Sequence, residues 1–214
     1  MFNGQAEQDK FVIKVLNEKQ NGYFLEIGSN HPININNTYL LEHQYNWKGI
    51  MVEYNPDFLP LYKQHRPQSI HIINDATKVD YKTQFELHNF PYTMDYLQID
   101  LEANNGSTIN TLYKLDAEVL DNYKFAIITF EHDIYHTNFG NTREESRKIF
   151  EKRGYVSVFK DIHNIEPKYV YEDWYVHPEL VNMSYVNNLI EQNINNYEEN
   201  NITGKSLNWQ NIQY

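Results

Sequence analysis

Cysteine is absent from this chain, which removes a disulfide framework, a thiolate nucleophile and a cysteine-ligated zinc centre. Any metal must rest on oxygen or imidazole ligands. Basic residues are scarce as well: 18 Lys and Arg stand against 29 Asp and Glu, for a formal charge of -11. Nucleic-acid backbones are gripped by clustered cations, so no nucleic-acid partner is expected and a small-molecule or glycan acceptor fits better. No apolar run approaches a membrane span. Residues 1–10 lack the basic and apolar regions of a signal peptide. The expectation is a cytoplasmic protein without a membrane span, whose Asn-x-Ser/Thr triplets at Asn36, Asn105, Asn182 and Asn201 are not glycosylated.

With 214 residues the chain is long enough for one well-buried α/β domain, and its pattern supports one over residues 1–186. Phe11, Val12, Val15 and Leu16 keep helical spacing and predict an opening helix over about 6–19, with Gly22 as its capping glycine. Strands are expected at 23–27, 49–53, 70–73, 96–100, 125–130 and 155–159, with a last extended segment over 169–176 closing a C-terminal hairpin. Helices are expected between them from Asn37, from Asn55-Pro56, around Thr108 to Val119, and from Thr142, where Glu145 completes a capping box. Residues 77–93 read as a polar and aromatic insert. Residues 187–214 read as an Asn-rich helix and tail that packs on the body or pairs two copies in a homodimer.

The chemistry gathers at one edge. Glu26, Gly28, Glu53, Asp75, Asp100 and Glu131 fall at or just past the carboxyl ends of successive predicted strands, which is where open α/β sheets bind ligands. Acidic residues also follow strands as turn formers and caps, but six in register are harder to explain that way. Gly28 lets a ligand approach the backbone, and Glu53, ending the second strand, suits a ribose diol that needs acceptors. Residues 26–32 do not make G-x-G-x-x-G, which disfavours a pyrophosphate and favours a ligand with adenosine but no phosphate.

The segments Gly4-Gln5, Gln8 to Val12, Asn21 to Asn30, Asn37 to Glu42, Trp47 to Glu53, Met94 to Glu102, Glu131-His132-Asp133, Lys152 to Tyr155 and Glu172 to Val176 resemble the FkbM family of S-adenosylmethionine-dependent methyltransferases. The resemblance implies a class I methyltransferase Rossmann-like fold: a mostly parallel seven-stranded sheet with helices on both faces. It implies a cofactor set of Glu26, Gly28, Ser29, Asn30, Glu53, Tyr54, Asp75, Ala76 and Asp100, with the methionine part near Glu26 and Gly28, the ribose on Glu53, and the adenine beside Asp75 and Ala76. Pro32 stands where the family has a third glycine, and Tyr54 where it has proline.

Transfer of a methyl group to a hydroxyl needs the nucleophile aligned and relieved of its proton, by a metal or by a carboxylate or imidazole. By similarity to sugar O-methyltransferases, Asp100, Glu131 and His132 are candidate ligands for Mg²⁺ or Mn²⁺, and Glu102, His132 and Asp100 the catalytic set, with Glu102 as base. In the alternative without a metal, His132 bonds a backbone group and Asp100 orients the cofactor. The expected activity is O-methylation of a sugar or glycan hydroxyl. A non-catalytic cofactor-binding module and a methyltransferase with a non-sugar acceptor are the alternatives.

Overall fold

The computed structural model describes residues 2–163 and 169–194, together with Thr203 and Leu207. Seven strands form one sheet in the order β3-β2-β1-β4-β5-β7-β6. They are β1 (Tyr23–Ile27), β2 (Lys48–Glu53), β3 (Ile70–Ile73), β4 (Thr93–Ile99), β5 (Lys124–Glu131), β6 (Val156–His163) and β7 (Val170–Val176). The first five run parallel, and β7 inserts antiparallel between β5 and β6. The central strands are apolar on both faces because both faces are covered. Helices α1 (Gln8–Val15), α2 (Tyr39–Tyr45), α3 (Leu59–His65) and α7 (Met183–Gln192) contribute Phe11, Val12, Leu41, Tyr62, Val186 and Leu189 to one core layer. Helices α4 (Tyr81–Leu87), α5 (Ser107–Glu118) and α6 (Thr142–Lys152) contribute Tyr81, Phe85, Leu112, Leu115 and Phe150 to the other.

Strand order reverses beside β1, so the loops after β1 and β4 diverge and leave a crevice at the carboxyl edge. Register fixes what meets there: Glu26 lies opposite Met51 on one side and Gln98 on the other.

Several expected boundaries move for local reasons. The first helix stops at Val15 because Asn17 and Glu18 take left-handed φ of 51° and 56°. Gly22 is not its cap; a Cβ there would lie 2.4 Å from the Trp47 ring, so glycine lets the indole pack against the chain. The expected insert at 77–93 contains α4, whose N-cap Asp80 accepts from the Thr83 amide and whose Tyr81 and Phe85 are fully buried. The expected capping box of α6 does not form: Asn141 holds the N-cap position at φ 52°, and the Thr142 hydroxyl instead donates to the Phe139 carbonyl. Strand β6 runs four residues past its expected end, with irregular register against β7 and a left-handed Asp161. Helix α7 begins before residue 187, with Asn182 capping it through the Ser184 and Tyr185 amides. The rest of the Asn-rich segment, where pairing of two copies was expected, lies outside the described residues apart from Thr203 and Leu207. Among the described residues no helix is long and apolar enough to cross a membrane.

Candidate functional site

A cavity of about 670 Å³ opens at the crevice. Its first wall is the turn after β1. The Gly28 and Ser29 amides both donate to the Val52 carbonyl, at 2.9 and 3.1 Å, drawing the turn over the end of β2. Gly28 has φ 84°, and a Cβ on it would fall 1.7 Å from the Asp100 carbonyl oxygen. Only glycine permits that approach.

Pro32 does not break the loop that follows. Arg66, fully buried, reaches from the end of α3 into residues 32–42. It donates to Glu42 through Nε (2.8 Å), to Asn36 Oδ1 (2.8 Å) and the Pro32 carbonyl (3.3 Å) through Nη1, and to Thr38 Oγ1 through Nη2 (2.6 Å). Asn36 passes the order on, donating to Glu26 Oε2 and to the Ser29 carbonyl, each at 3.1 Å. A guanidinium with its fork of donors thus sets the path of the loop that carries Pro32. The N-terminal segment crosses the mouth: Asn3 donates to the Ile33 carbonyl at 2.8 Å, and Gln5 lines the cavity.

Glu26 is buried and keeps one oxygen free: Oε1 has no hydrogen-bond partner. Burial pushes its carboxyl above the usual range, opposed by the Arg66 charge and the Asn36 bond. Asn37 Oδ1 and Gln98 Oε1 are likewise buried and unpaired, and all three residues line the cavity. Unpaired buried acceptors call for a ligand that donates. Glu53, half-buried at the end of β2, accepts the Asn30 amide on Oε2 and the Asn55 amide on Oε1, each at 2.8 Å. Two backbone bonds fix the carboxylate and leave lone pairs for a diol. Tyr54 (76 % exposed) and Ile35 (67 % exposed) stand at the same mouth. Ile35 has φ 56°, an uncommon conformation for a β-branched residue.

At the far end Asp100, Glu102, Glu131 and Asp133 line the cavity. Burial pushes Asp100 up to about 6, against a hydrogen bond with Glu131 and with help from the charges of Asp133, Glu102 and Glu53. Glu131 is driven well above the usual carboxylate range by burial and by Asp100 and Asp133, and Asp133 is raised by burial. Ionising Asp100, Glu131 and Asp133 together is disfavoured by burial and by their mutual repulsion.

The structure thus brings together Glu26, Gly28, Ser29, Asn30, Glu53, Tyr54, Asp100, Glu102 and Glu131 around one cavity. It leaves out three residues expected there. Asp75 caps the turn that follows it, accepting from the Thr77 amide at 3.0 Å and Thr77 Oγ1 at 2.7 Å, and neither it nor Ala76 lines the cavity. His132 is fully buried but faces away: its Nδ1 accepts from the Ile134 amide, and its Nε2 lies 3.5 Å from Asp173 and 3.7 Å from Asp161. The strand ends at Glu131, and the chain turns there: the His132 and Asp133 amides both donate to the Tyr171 carbonyl and Asp133 takes a left-handed φ of 47°, which leaves Asp133 at the cavity and His132 among Asp161 and Asp173. The expected Asp100, Glu131, His132 metal set is therefore not assembled. Among the described residues, His132, Asp161 and Asp173 are the group of three whose ligand atoms come within 4.8 Å of one another. Arg147 already binds both of its acids, at 2.9 Å to Asp161 and 2.7 Å to Asp173, so the group is an ion-pair network. Burial raises Asp173, yet His132 and Arg147 outweigh it and hold the carboxyl well below the ordinary range.

The cations along and just past α6 are paired as well, with Arg143, Lys148 and Arg153 bound to neighbouring acids. Trp174 and Tyr175 belong to the core, Trp174 packing on Phe11 at 4.7 Å between ring centroids. The sequence reading passed over Gln98, Asn36 and Asn37 and did not assign Asp133. Position 133 enters the cavity through the turn after β5, with Asp133 at φ 47°, and neither it nor the amides carried a signal until the loop paths were known.

No protein-family model matches the chain. No curated protein matches it either. Solved structures do. A TehB-like S-adenosylmethionine-dependent methyltransferase from Corynebacterium glutamicum superposes with a TM-score of 0.51 at 10% identity, over 83% of this chain and 89% of that one. A putative rRNA methylase from Clostridium thermocellum gives 0.52 at 11% identity, over 82% and 98%. An amino pentose methyltransferase from Micromonospora echinaspora, solved with S-adenosylmethionine bound, gives 0.52 at 11% identity, over 81% and 89%. At these identities the likeness is one of fold: this chain has the Rossmann-like fold of the class I methyltransferases, with its cavity at the carboxyl edge of the sheet.

Proposed function

We propose that the cavity binds S-adenosylmethionine and that the protein is a methyltransferase acting on a hydroxyl of a sugar or glycan. One observation carries this reading: a fixed acceptor for a ribose diol (Glu53) and a buried, unpaired acceptor for an ammonium (Glu26 Oε1) flank a glycine that admits a ligand to the backbone, with a second set of carboxyls beyond. The donor set suits the cofactor's chemistry, since its ammonium and ribose hydroxyls all donate. Glu26, Gln98 and Gln5 hold the methionine end, Glu53 the ribose, and Tyr54 with Ile35 borders the adenine.

Bound there, S-adenosylmethionine supplies an electrophilic methyl carbon on a sulfonium that keeps the electron pair when the carbon leaves. Asp100, at the end of β4, orients the reacting groups. Glu102, exposed on the loop that follows, receives the hydroxyl proton as the oxygen takes the methyl carbon. A carboxylate in this role contributes on the order of 10²-fold or more. No step uses His132. The test is release of S-adenosylhomocysteine over a panel of monosaccharides, with Glu102→Gln alongside. Turnover should fall on the order of 10²-fold while cofactor affinity holds; equal loss of cofactor binding would move Glu102 to the cofactor site.

A further inference from the structure

The cavity wall holds more acidic groups than the proposed cofactor can answer. Glu26, Glu53, Asp100, Glu102, Glu131 and Asp133 line it, and none of the described lining residues is Lys or Arg. The Arg66 guanidinium does not line the cavity; it lies 4.0 Å from Glu26 and is bonded to Glu42. S-adenosylmethionine brings two cationic groups and one carboxylate, a net charge of one. With Glu26, Glu53 and even Asp100 assigned to it, Glu102, Glu131 and Asp133 remain.

Burial and one another's charge raise Asp100 and Glu131, and a cation bound beside them would favour their ionised forms. The buried lining atoms without partners, Glu26 Oε1, Asn37 Oδ1 and Gln98 Oε1, are all acceptors. A phosphorylated sugar or nucleotide sugar would meet like charge with no cation to receive it. A neutral sugar would bring no cation to let these carboxyls ionise. The overall charge of -11 favours encounter with cations too.

We propose that the acceptor is itself a cation, an amine-bearing sugar whose ammonium docks against Glu131 and Asp133 while its neighbouring hydroxyl meets Glu102. This rests on the cavity being the S-adenosylmethionine site. The ammonium stays protonated between the acids and has no lone pair to attack with, so the hydroxyl is the nucleophile. Its proton passes to Glu102, the carbon–oxygen bond forms, and the carbon–sulfur pair stays on sulfur.

The test is calorimetric titration of the full chain, first with S-adenosylhomocysteine and then, with that product bound, with glucosamine, galactosamine and mannosamine, their N-acetyl forms and their 6-phosphates. Absence of S-adenosylhomocysteine binding would remove the cofactor reading, and this inference with it. With the product bound, at least one free amine should bind tenfold or more tightly than its N-acetyl and phosphorylated counterparts, and the preference should shrink in high salt. Asp133→Asn should lose the preference while still binding S-adenosylhomocysteine, which reports that the variant is folded. N-acetyl or phosphorylated sugars binding as tightly as the amines, or no amine binding at all, would overturn the inference and leave the cofactor site standing.

Discussion

The carbonyl oxygen of Asp100 occupies the space a side chain on residue 28 would need, 1.7 Å from the position of a Cβ built on Gly28. One contact joins the turn after β1 to the end of β4, and so sets the width of the crevice in which the proposed cofactor lies. Gly28→Ala should fail twice, through a left-handed φ of 84° and through the clash. A loss of about 2 kcal/mol or more is expected, read as a lower denaturant midpoint, together with loss of cofactor binding.

Arg66 ties the loop opposite. Arg66→Met would strand Glu42 and Glu26 in the interior without their cation, and should destabilise by about 3–5 kcal/mol in urea unfolding. An unchanged midpoint would show that the loop path does not depend on the guanidinium.

Glu172 gives a pH signature. It is buried on β7 opposite Glu131, accepts from Gln8 at 2.8 Å, and is pushed by burial from 4.5 up to about 8. The folded state holds this proton more tightly than the unfolded one. Its contribution is therefore full below 4.5 and is lost as pH rises through about 8. Glu172→Gln, which keeps the neutral shape, should gain stability relative to the parent across that window, by at least about 1 kcal/mol at its upper end. Thermal unfolding of the two proteins from pH 5 to 8 measures it; parallel curves would place the raised group elsewhere.

Much of this architecture was legible because parallel strands covered on both faces read as short apolar runs, and the acids that end them mark one edge. Elements with weak local signals were not. Helix α4 has two fully buried aromatic residues in one short helix, too few to show a period, and Gly22 looks like a cap when it serves Trp47. Within the site, Glu26, Gly28, Glu53 and Asp100 were readable from strand ends. His132, carried over by similarity, falls outside the cavity because the chain turns past Glu131, with the His132 and Asp133 amides on one carbonyl and Asp133 left-handed. Asp75, expected beside the adenine, caps the turn that follows it and does not line the cavity. The role of Arg66 could not be read from the sequence, since its partners Pro32, Asn36, Thr38 and Glu42 lie 24 to 34 residues away along the chain.

The central claim, that the crevice is an S-adenosylmethionine site anchored by Glu53, is tested most directly by calorimetry of that cofactor with the parent protein and with Glu53→Ala. The parent should bind one equivalent, and the variant should bind about tenfold or more weakly, through loss of hydrogen bonds to a charged acceptor. No heat with S-adenosylmethionine or S-adenosylhomocysteine, alongside clear binding of a nicotinamide dinucleotide, would contradict the account.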